Sequence, residues 1–273
     1  MVDQKFCIDI GGTKTIFALV NQRLDIIKSE ILPTPKDRKD FIKFIRDNSA
    51  KYKGLSDDVF ISIAGRFDKK GRIIMAPNLP AVGLNIRKIA ANGFRKVYIE
   101  NDGNCFGLYS LYRGKLKGIK NGIALVWGTG IGGAVVSDGK IMRGNGTASE
   151  LGHIALFDRD SGDIESLIGG KAMKAKYGVD GEALHMLAEK GDLSAIKAFQ
   201  DIGRVFGRYL SSLSYLFDPE VIVVGGSFAN SWKFIKKSAY SQIRTGTIRH
   251  SMNIKIEKGK YNVIKGCYFL GRT

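Results

Sequence analysis

Three short stretches of this chain set glycines beside groups that handle phosphate. The first is Asp9-Ile10-Gly11-Gly12-Thr13-Lys14, which lies between the apolar runs 6–10 and 15–20. Glycines at a strand-to-strand turn let backbone N–H groups approach an anion closely, and such concave nests suit phosphate. Thr13 adds a hydroxyl donor, Lys14 a positive charge, and Asp9 a carboxylate that can hold Mg²⁺ directly or through water. The competing reading is a β-hairpin whose glycines serve backbone geometry alone. The stretch is neither a Walker A loop nor a GxGxxG dinucleotide fingerprint, because its glycines join strand to strand and no helix follows. The second stretch, Gly128-Thr129-Gly130-Ile131-Gly132-Gly133, repeats this physics. The third, Gly225-Gly226-Ser227, follows an apolar strand, where a flat nucleoside could lie against exposed backbone.

The flanking elements must hold these turns. Residues 6–10 and 15–21 are rich in β-formers and read as strands, and 24–32 reads as a third, ended by Pro33 and Pro35. Phe41, Phe44 and Ile45 have the spacing of an amphipathic helix over 40–52. A short apolar strand over 59–65 stops at Gly65. Residues 71–93 read as a strand, a loop with Pro77 and Pro80, and a helix. The strand 96–102 delivers Asn101 and Asp102 at its C-terminal end. The second half opens with the same grammar over 122–144: strand, glycine turn, strand, a turn at Asp138-Gly139, then a third strand. This is a weak internal duplication of architecture. Residues 192–217 read as a long helix with Ile202, Val205, Phe206, Tyr209, Leu213 and Leu216 near one stripe, and Pro219 beyond its end. Residues 220–229 read as a last buried strand running into a glycine turn, and 260–270 as a closing helix. No linker or low-complexity segment separates the halves.

Composition narrows the classes. With 273 residues the chain can bury a large core, and 44% apolar with 25% charged residues is ordinary for a soluble globular protein. No apolar run approaches the length of a membrane span, and no signal peptide is visible. Cys7, Cys105 and Cys267 are scattered without a CxxC pair, which fits a reducing, cytoplasmic setting and argues against a disulfide framework or a cysteine zinc site. A net charge of +17 reads either as attraction to anions or as a lysine-rich solvated surface. The basic residues spread along the whole chain, including 36–46 and 233–237, which read as exposed helix faces. There is no basic arm, zinc finger or RNP signature, so the solvated surface is the favoured reading.

The stretches DIGGTK, PNLP, ENDGNC, WGTGIGGAVVSDGKIMRGNGTASELGH, DIESLIGG and DPEVIVVGGS run from residue 9 to residue 227. Together they resemble the ROK family of sugar kinases, within the hexokinase–actin–Hsp70 ATPase superfamily. The resemblance implies an α/β fold of the two-domain, actin-like ATPase (ribonuclease H-like) kind with a cleft between domains. Residues 1–113 plus 260–273 would form the smaller domain and 114–259 the larger. Asp102 would be the general base that takes the proton from the attacking sugar hydroxyl. Read alone, Asp102 is as readily the N-cap of the next helix. Asn78, Asn101, Asp102, Glu150, His153 and Glu165 match positions that hydrogen-bond sugar hydroxyls. Asp9, Gly11, Gly12, Thr13, Lys14, Gly128, Thr129, Gly130, Gly225, Gly226 and Ser227 would serve ATP, with Asp9 near Mg²⁺, most simply through water.

One departure from the family stands out. Many members carry a CxCGxxGC cluster after the Gly-His element, and it binds structural zinc together with the histidine. Here the segment reads HIALFDRDSGDIESL, without a cysteine. No structural zinc is therefore expected, and other contacts must hold the sugar loop. The implied reaction is transfer of the γ-phosphate of ATP to a hexose hydroxyl, with the 6-hydroxyl of glucose or a related hexose first. N-acetylmannosamine, N-acetylglucosamine and fructose kinases share these motifs. A sugar-responsive regulator without kinase activity would need a helix-turn-helix module ahead of the first strand, whereas Asp9 stands close to the N-terminus. A non-catalytic protein of the ATPase fold would have no use for Asp9, Lys14 and Asp102 together. The implied partners are sugar and ATP, with Mg²⁺ as cofactor, no membrane and no nucleic acid. Homodimers or homotetramers are the assemblies that the resemblance suggests.

Overall fold

A computed structural model describes residues 4–91, 93–144, 148–155, 162–243 and 252–272. The chain packs as two compact units. Unit 1 comprises Met1–Tyr112, Arg143–Ala148 and Tyr261–Thr273; unit 2 comprises Arg113–Met142 and Ser149–Lys260.

Unit 1 begins with an antiparallel meander, β1 (Gln4–Ile10), β2 (Lys14–Asn21) and β3 (Ile26–Pro33). Pro33 closes β3 from inside rather than from beyond it, as the last residue of an edge strand that needs no further N–H. Helix α1 (Arg38–Ala50) follows, capped by Asp37, whose side chain accepts the N–H groups of Lys39 and Asp40. Next come β4 (Asp58–Ile63), a small ribbon of β5 (Arg66–Phe67) and β6 (Ile73–Met75), and the short helix α2 (Ile86–Ala90). The strand β7 (Lys96–Asn101) then leads directly into α3 (Asp102–Tyr112). The main sheet has the order β3-β2-β1-β4-β7, with β1, β4 and β7 parallel. A central strand covered on both faces is mostly apolar, and β1 is so over Phe6–Ile10 except at Asp9. Its Phe6, Ile8 and Ile10 join Phe17, Phe41, Ile45, Val59 and Ile61 in one core.

Unit 2 repeats the plan. The strands β8 (Gly122–Trp127), β9 (Ile131–Ser137) and β10 (Lys140–Ile141) form the meander. The β9–β10 turn uses Asp138 and Gly139, both at positive φ, the geometry of a tight hairpin turn. Four helices follow: α4 (Ile164–Ile168), α5 (Gly170–Tyr177), α6 (Gly181–Glu189) and α7 (Leu193–Phe217). The strand β11 (Val221–Gly225), helix α8 (Trp232–Tyr240) and strand β12 (Ile254–Ile256) complete the unit. The sheet order is β10-β9-β8-β11-β12, with β8, β11 and β12 parallel. Position for position, this is the topology of the first sheet.

Three expectations need correction. β11 is not the last strand, because the alternating Ile254-Lys255-Ile256 pairs beside it as an edge. Along α7, Ile202, Phe206, Tyr209 and Leu213 are buried as the stripe requires, but Leu216 is 63% exposed. Its angle around the helix is right. Its neighbour Tyr215 is exposed as well, so the last turn outruns the elements that α7 packs on. The closing helix is shorter than 260–270: α9 spans Asn262–Cys267, with turns to Leu270.

Helix α9 returns the chain to unit 1 and lies on α3 and β1. Cysteines scattered in sequence meet there. Cys7, Cys105 and Cys267 are fully buried, with the last two sulfurs 3.8 Å apart, and burial pushes all three thiols up in pKa. They are inert packing groups. The α3–α9 crossing is close enough that a Cβ on Gly266 would fall within 1.8 Å of the Cys105 carbonyl oxygen. Gly266→Ala should therefore destabilise the fold by about 1–3 kcal/mol, the usual cost of overpacking, and lower the urea midpoint of unfolding.

Candidate active site

In unit 1 the site grows from the ends of β1, β4 and β7. Asp9 lies near the end of β1, in register with Ile16 on one side and Ser62 on the other. Its carboxyl is partly buried, and the loss of hydration raises its pKa to about 6; the Ser62 hydroxyl and the Lys14 charge pull it partway back. A buried acid with few hydrogen-bonding neighbours is a fitting partner for a hydrated hard cation.

The Gly11–Lys14 turn follows at once. The Gly11 N–H donates to the Lys14 carbonyl (3.1 Å). Among the described residues the N–H groups of Gly12 and Thr13 meet no acceptor. Neither glycine has a positive φ. Gly12 is demanded instead by close approach, since a Cβ there would lie 2.5 Å from the Cβ of Asn78. The PNLP loop between β6 and α2 thus seats Asn78 on the turn.

Asn101 and Asp102 stand at the junction of β7 and α3. Asn101 is the residue that caps α3: its Oδ1 accepts the N–H groups of Gly103 (2.8 Å) and Asn104 (3.3 Å). Its Nδ2 donates to the Gly65 carbonyl (3.4 Å). Asp102 is the first helical residue, partly buried, with Oδ1 3.0 Å from the Gly103 nitrogen. Beneath them lies a residue to which sequence reasoning assigned no role. Glu100 is 8% exposed and accepts from the Asn101 N–H (3.0 Å), Asn104 Nδ2 (3.1 Å) and Arg143 Nε (2.9 Å). Only the acid at the head of ENDGNC hinted at it, and nothing in the sequence marked Arg143 as its partner.

In unit 2 the turn Gly128-Thr129-Gly130 joins β8 to β9. The Gly128 N–H donates to the Gly130 carbonyl (2.9 Å), while the N–H groups of Thr129 and Gly130 have no acceptor among the described residues. Glu165, in the first turn of α4, accepts the Ile131 N–H through Oε2 (2.8 Å). Its carboxylate lies so close to Gly130 that any Cβ there would collide with it. Next to this hairpin, β11 ends at Gly225 and Gly226. Gly226 has φ +86°, and a Cβ there would strike the backbone of Trp127. Ser227 opens the 3₁₀ turn that follows, its hydroxyl near Gly128.

Glu150 precedes a 3₁₀ turn, Leu151–His153. His153 Nδ1 sits 2.7 Å from Asp163 Oδ2, while Asp163 Oδ1 caps α4 through the Ser166 N–H (2.8 Å). The hydrogen bond to Asp163 raises the His153 pKa against the opposing effect of burial. Burial raises the Asp163 pKa, but its bonds to His153 and Ser166 prevail and leave it below the usual carboxylate value. A carboxylate only accepts, so Nδ1 carries the hydrogen and neutral His153 presents Nε2 as an acceptor. Residues 156–161 of the cysteine-free segment lie outside the described residues. Their flanks are joined by an Ala155–Asp163 bridge and by the Ile164 N–H on the Ile154 carbonyl (3.1 Å). Among the described residues no three His, Cys, Asp or Glu side chains converge as metal ligands. The sequence-predicted residues thus fall into two groups. Asp9 to Lys14, Asn78, Asn101 and Asp102 gather in unit 1, and the remainder in unit 2.

Two sheets of one strand order, each entered through a glycine hairpin, define an actin-like ATPase fold. The chain belongs to the ROK family, among its sugar kinases: the family's sequence profile matches residues 5–262. It is 30% identical over 252 residues to an N-acetyl-D-glucosamine kinase of Aliivibrio salmonicida, covering 81% of this chain and 83% of that one. The fold superposes on a ROK family glucokinase from Streptomyces griseus, solved with glucose and AMPPNP, with a TM-score of 0.86 at 24% identity, over 99% of this chain and 100% of that one. A ROK hexokinase from Thermus thermophilus gives 0.77 at 26% identity, over 97% and 96% of the two chains.

Asp9 yields a prediction with a definite sign. Its folded pKa, about 6, stands above the ordinary 3.8, so the ionised form opposes folding at high pH and the opposition fades as pH falls through 6. Asp9→Asn should stabilise the fold at pH 8 by up to about 3 kcal/mol, from 1.36 kcal/mol per pKa unit. The thermal midpoints of variant and parent should converge near pH 4, while the variant loses Mg²⁺-dependent nucleotide binding.

Proposed function

We propose that the protein is an ATP-dependent sugar kinase, acting in the cytoplasm, with N-acetyl-D-glucosamine ahead of glucose as acceptor. The family resemblance put glucose first; the relatives named for N-acetyl-D-glucosamine favour the other order. The observation that carries the kinase reading is the division of labour at the start of α3. Asn101 caps the helix, so the Asp102 carboxylate is not the N-cap that the sequence left open.

In this reading Asp102 accepts the proton of the attacking sugar hydroxyl as the new O–P bond forms and ADP departs. Phosphoryl transfer asks mainly for alignment and charge neutralisation, which fixed donors supply. The open N–H groups of Gly12, Thr13, Thr129 and Gly130 serve the phosphates, and Lys14 adds charge. Gly225, Gly226 and Ser227 receive the nucleoside. Asp9 would hold Mg²⁺ through water, and the ion when bound neutralises phosphate oxygens. Asn78, Asn101, Glu150, His153 and Glu165 serve the sugar. Glu165 spends one oxygen on the Ile131 N–H and keeps the other for a hydroxyl. His153 offers Nε2, oriented through Asp163.

An ADP-release assay over N-acetylglucosamine, glucose, N-acetylmannosamine and fructose tests this. The highest kcat/KM should fall to N-acetylglucosamine. Glucose in first place would reverse the acceptor order, and failure of every sugar would sink the kinase reading. Asp102→Asn should cut kcat by at least about 100-fold, the usual lower range for a general base, while sugar binding by calorimetry stays near wild type.

A further inference from the structure

The Gly11–Lys14 turn is braced from behind by a segment that the proposed function leaves unused. The Thr34 hydroxyl donates to the Gly11 carbonyl (2.8 Å), and Lys36 Nζ donates to the Gly12 carbonyl (2.5 Å). The Thr34 N–H also donates to the Thr13 carbonyl (3.0 Å). Thr34 is 4% exposed, and its hydroxyl meets that of Thr15 (2.9 Å). Lys36 has no carboxylate partner among the described residues.

A trans peptide is planar, and its C=O and N–H point in opposite directions. The Gly11 carbonyl shares a peptide with the Gly12 N–H, and the Gly12 carbonyl shares one with the Thr13 N–H. Holding the two carbonyls toward Thr34 and Lys36 therefore fixes the two N–H groups outward, on the opposite side of the turn. These are the N–H groups that meet no acceptor. Glycine-flanked peptides flip easily, because glycine accepts both signs of φ. Without the brace this pair of donors would not be held to one orientation. The cation on the Gly12 carbonyl also polarises that peptide and strengthens its N–H as a donor.

The turn in unit 2 is tied back in the same manner. There the Gly170 N–H takes the Gly128 carbonyl (3.0 Å), and the Lys171 N–H takes the Thr129 carbonyl (3.2 Å). Two consecutive carbonyls are again secured, and the N–H groups of Thr129 and Gly130 are again left open. Backbone does in unit 2 what two side chains do in unit 1, so only the first brace can be removed by substitution.

We propose that Thr34 and Lys36 are positioning residues of the nucleotide phosphate site, locking the Gly11–Gly12 and Gly12–Thr13 peptides with their N–H groups turned to the phosphate. Lys36 acts through the peptide and does not itself touch the phosphate. The inference rests on the nucleotide reading of this turn. It adds a lysine and a threonine that lie outside the DIGGTK stretch.

The test is calorimetric binding of MgADP, without sugar, to the parent chain and to Thr34→Val, Thr34→Ser, Lys36→Met and Lys36→Arg. Thr34→Val and Lys36→Met should each weaken MgADP by about 5–20-fold, the scale of one lost hydrogen bond to a binding group. Thr34→Ser and Lys36→Arg keep the donors and should stay within about twofold. Thermal midpoints identify any variant that fails to fold, and Thr34→Ser, which keeps the hydroxyl, then carries the comparison together with the Lys36 pair. In a ¹⁵N spectrum of Lys36→Met the Gly12 and Thr13 amides should move less on adding MgADP than in the parent. Wild-type affinity in both Thr34→Val and Lys36→Met overturns the proposal. So does an equal loss in Lys36→Arg, which would mark a packing role only. A parent chain that binds MgADP but phosphorylates no sugar refutes the kinase reading and leaves the lock standing; a parent chain that binds no MgADP refutes both.

Discussion

The carboxylate of Asp9, set near the end of a central strand of unit 1, is the constraint around which that unit is arranged. Charge in a medium of low polarisability is costly unless something answers it. Among the described residues no arginine or lysine forms an ion pair with it. The protein surrounds Asp9 with a serine on the neighbouring strand, a lysine at the start of the next, and a layer of thiols under α3 and α9. The thiols raise no competing charge at neutral pH. The carboxylate thus carries a cost in folding stability, which fits the proposed role of Asp9 toward a cation.

The two turns proposed to bind phosphate follow from geometry rather than charge. A hairpin turn can offer N–H groups to an anion only if its carbonyls are busy elsewhere. Each unit solves this with the segment that happens to lie behind its first hairpin: the end of β3 in unit 1, the start of α5 in unit 2. The duplicated sheets share an order, but the braces share no sequence. What the two turns share therefore lies in which backbone groups are satisfied. A comparison of residues would not find it.

Much of this plan was legible in the sequence for a simple reason. β-branched and aromatic runs flank the glycine pairs at both hairpins, so strand, turn and strand were marked locally, and the recurrence of that pattern marked the duplication. Helix α7 was legible from its periodicity, apart from its last turn, whose exposure depends on where neighbouring elements end. What stayed hidden were pairings across sequence. Glu100 is secured by Arg143, 43 residues on, and His153 by Asp163 across a loop. The cysteines looked unrelated because three different elements bring them together. That the cap of α3 is Asn101 rather than Asp102 could not be read locally either. It turned on the side chain of Asn101, one residue earlier, pointing into the helix rather than away from it. Thr34 lay between the prolines that end the third strand and Lys36 opened a basic run read as an exposed helix face, and nothing in their identity betrayed the carbonyls they bind.

Helix α9 carries a consequence for how the chain is made. Residues 262–267 complete the packing of β1 and α3, yet they emerge only after all of unit 2 has been synthesised. Unit 2 is contiguous enough to fold during translation, whereas unit 1 waits with one sheet face covered by α3 alone. In that interval the face that carries Cys7 is partly open to solvent, and its thiol is accessible in a way that it never is again. The first unit to leave the ribosome is thus the last to close, and the nascent chain depends on its surroundings to keep those sulfurs reduced until it does.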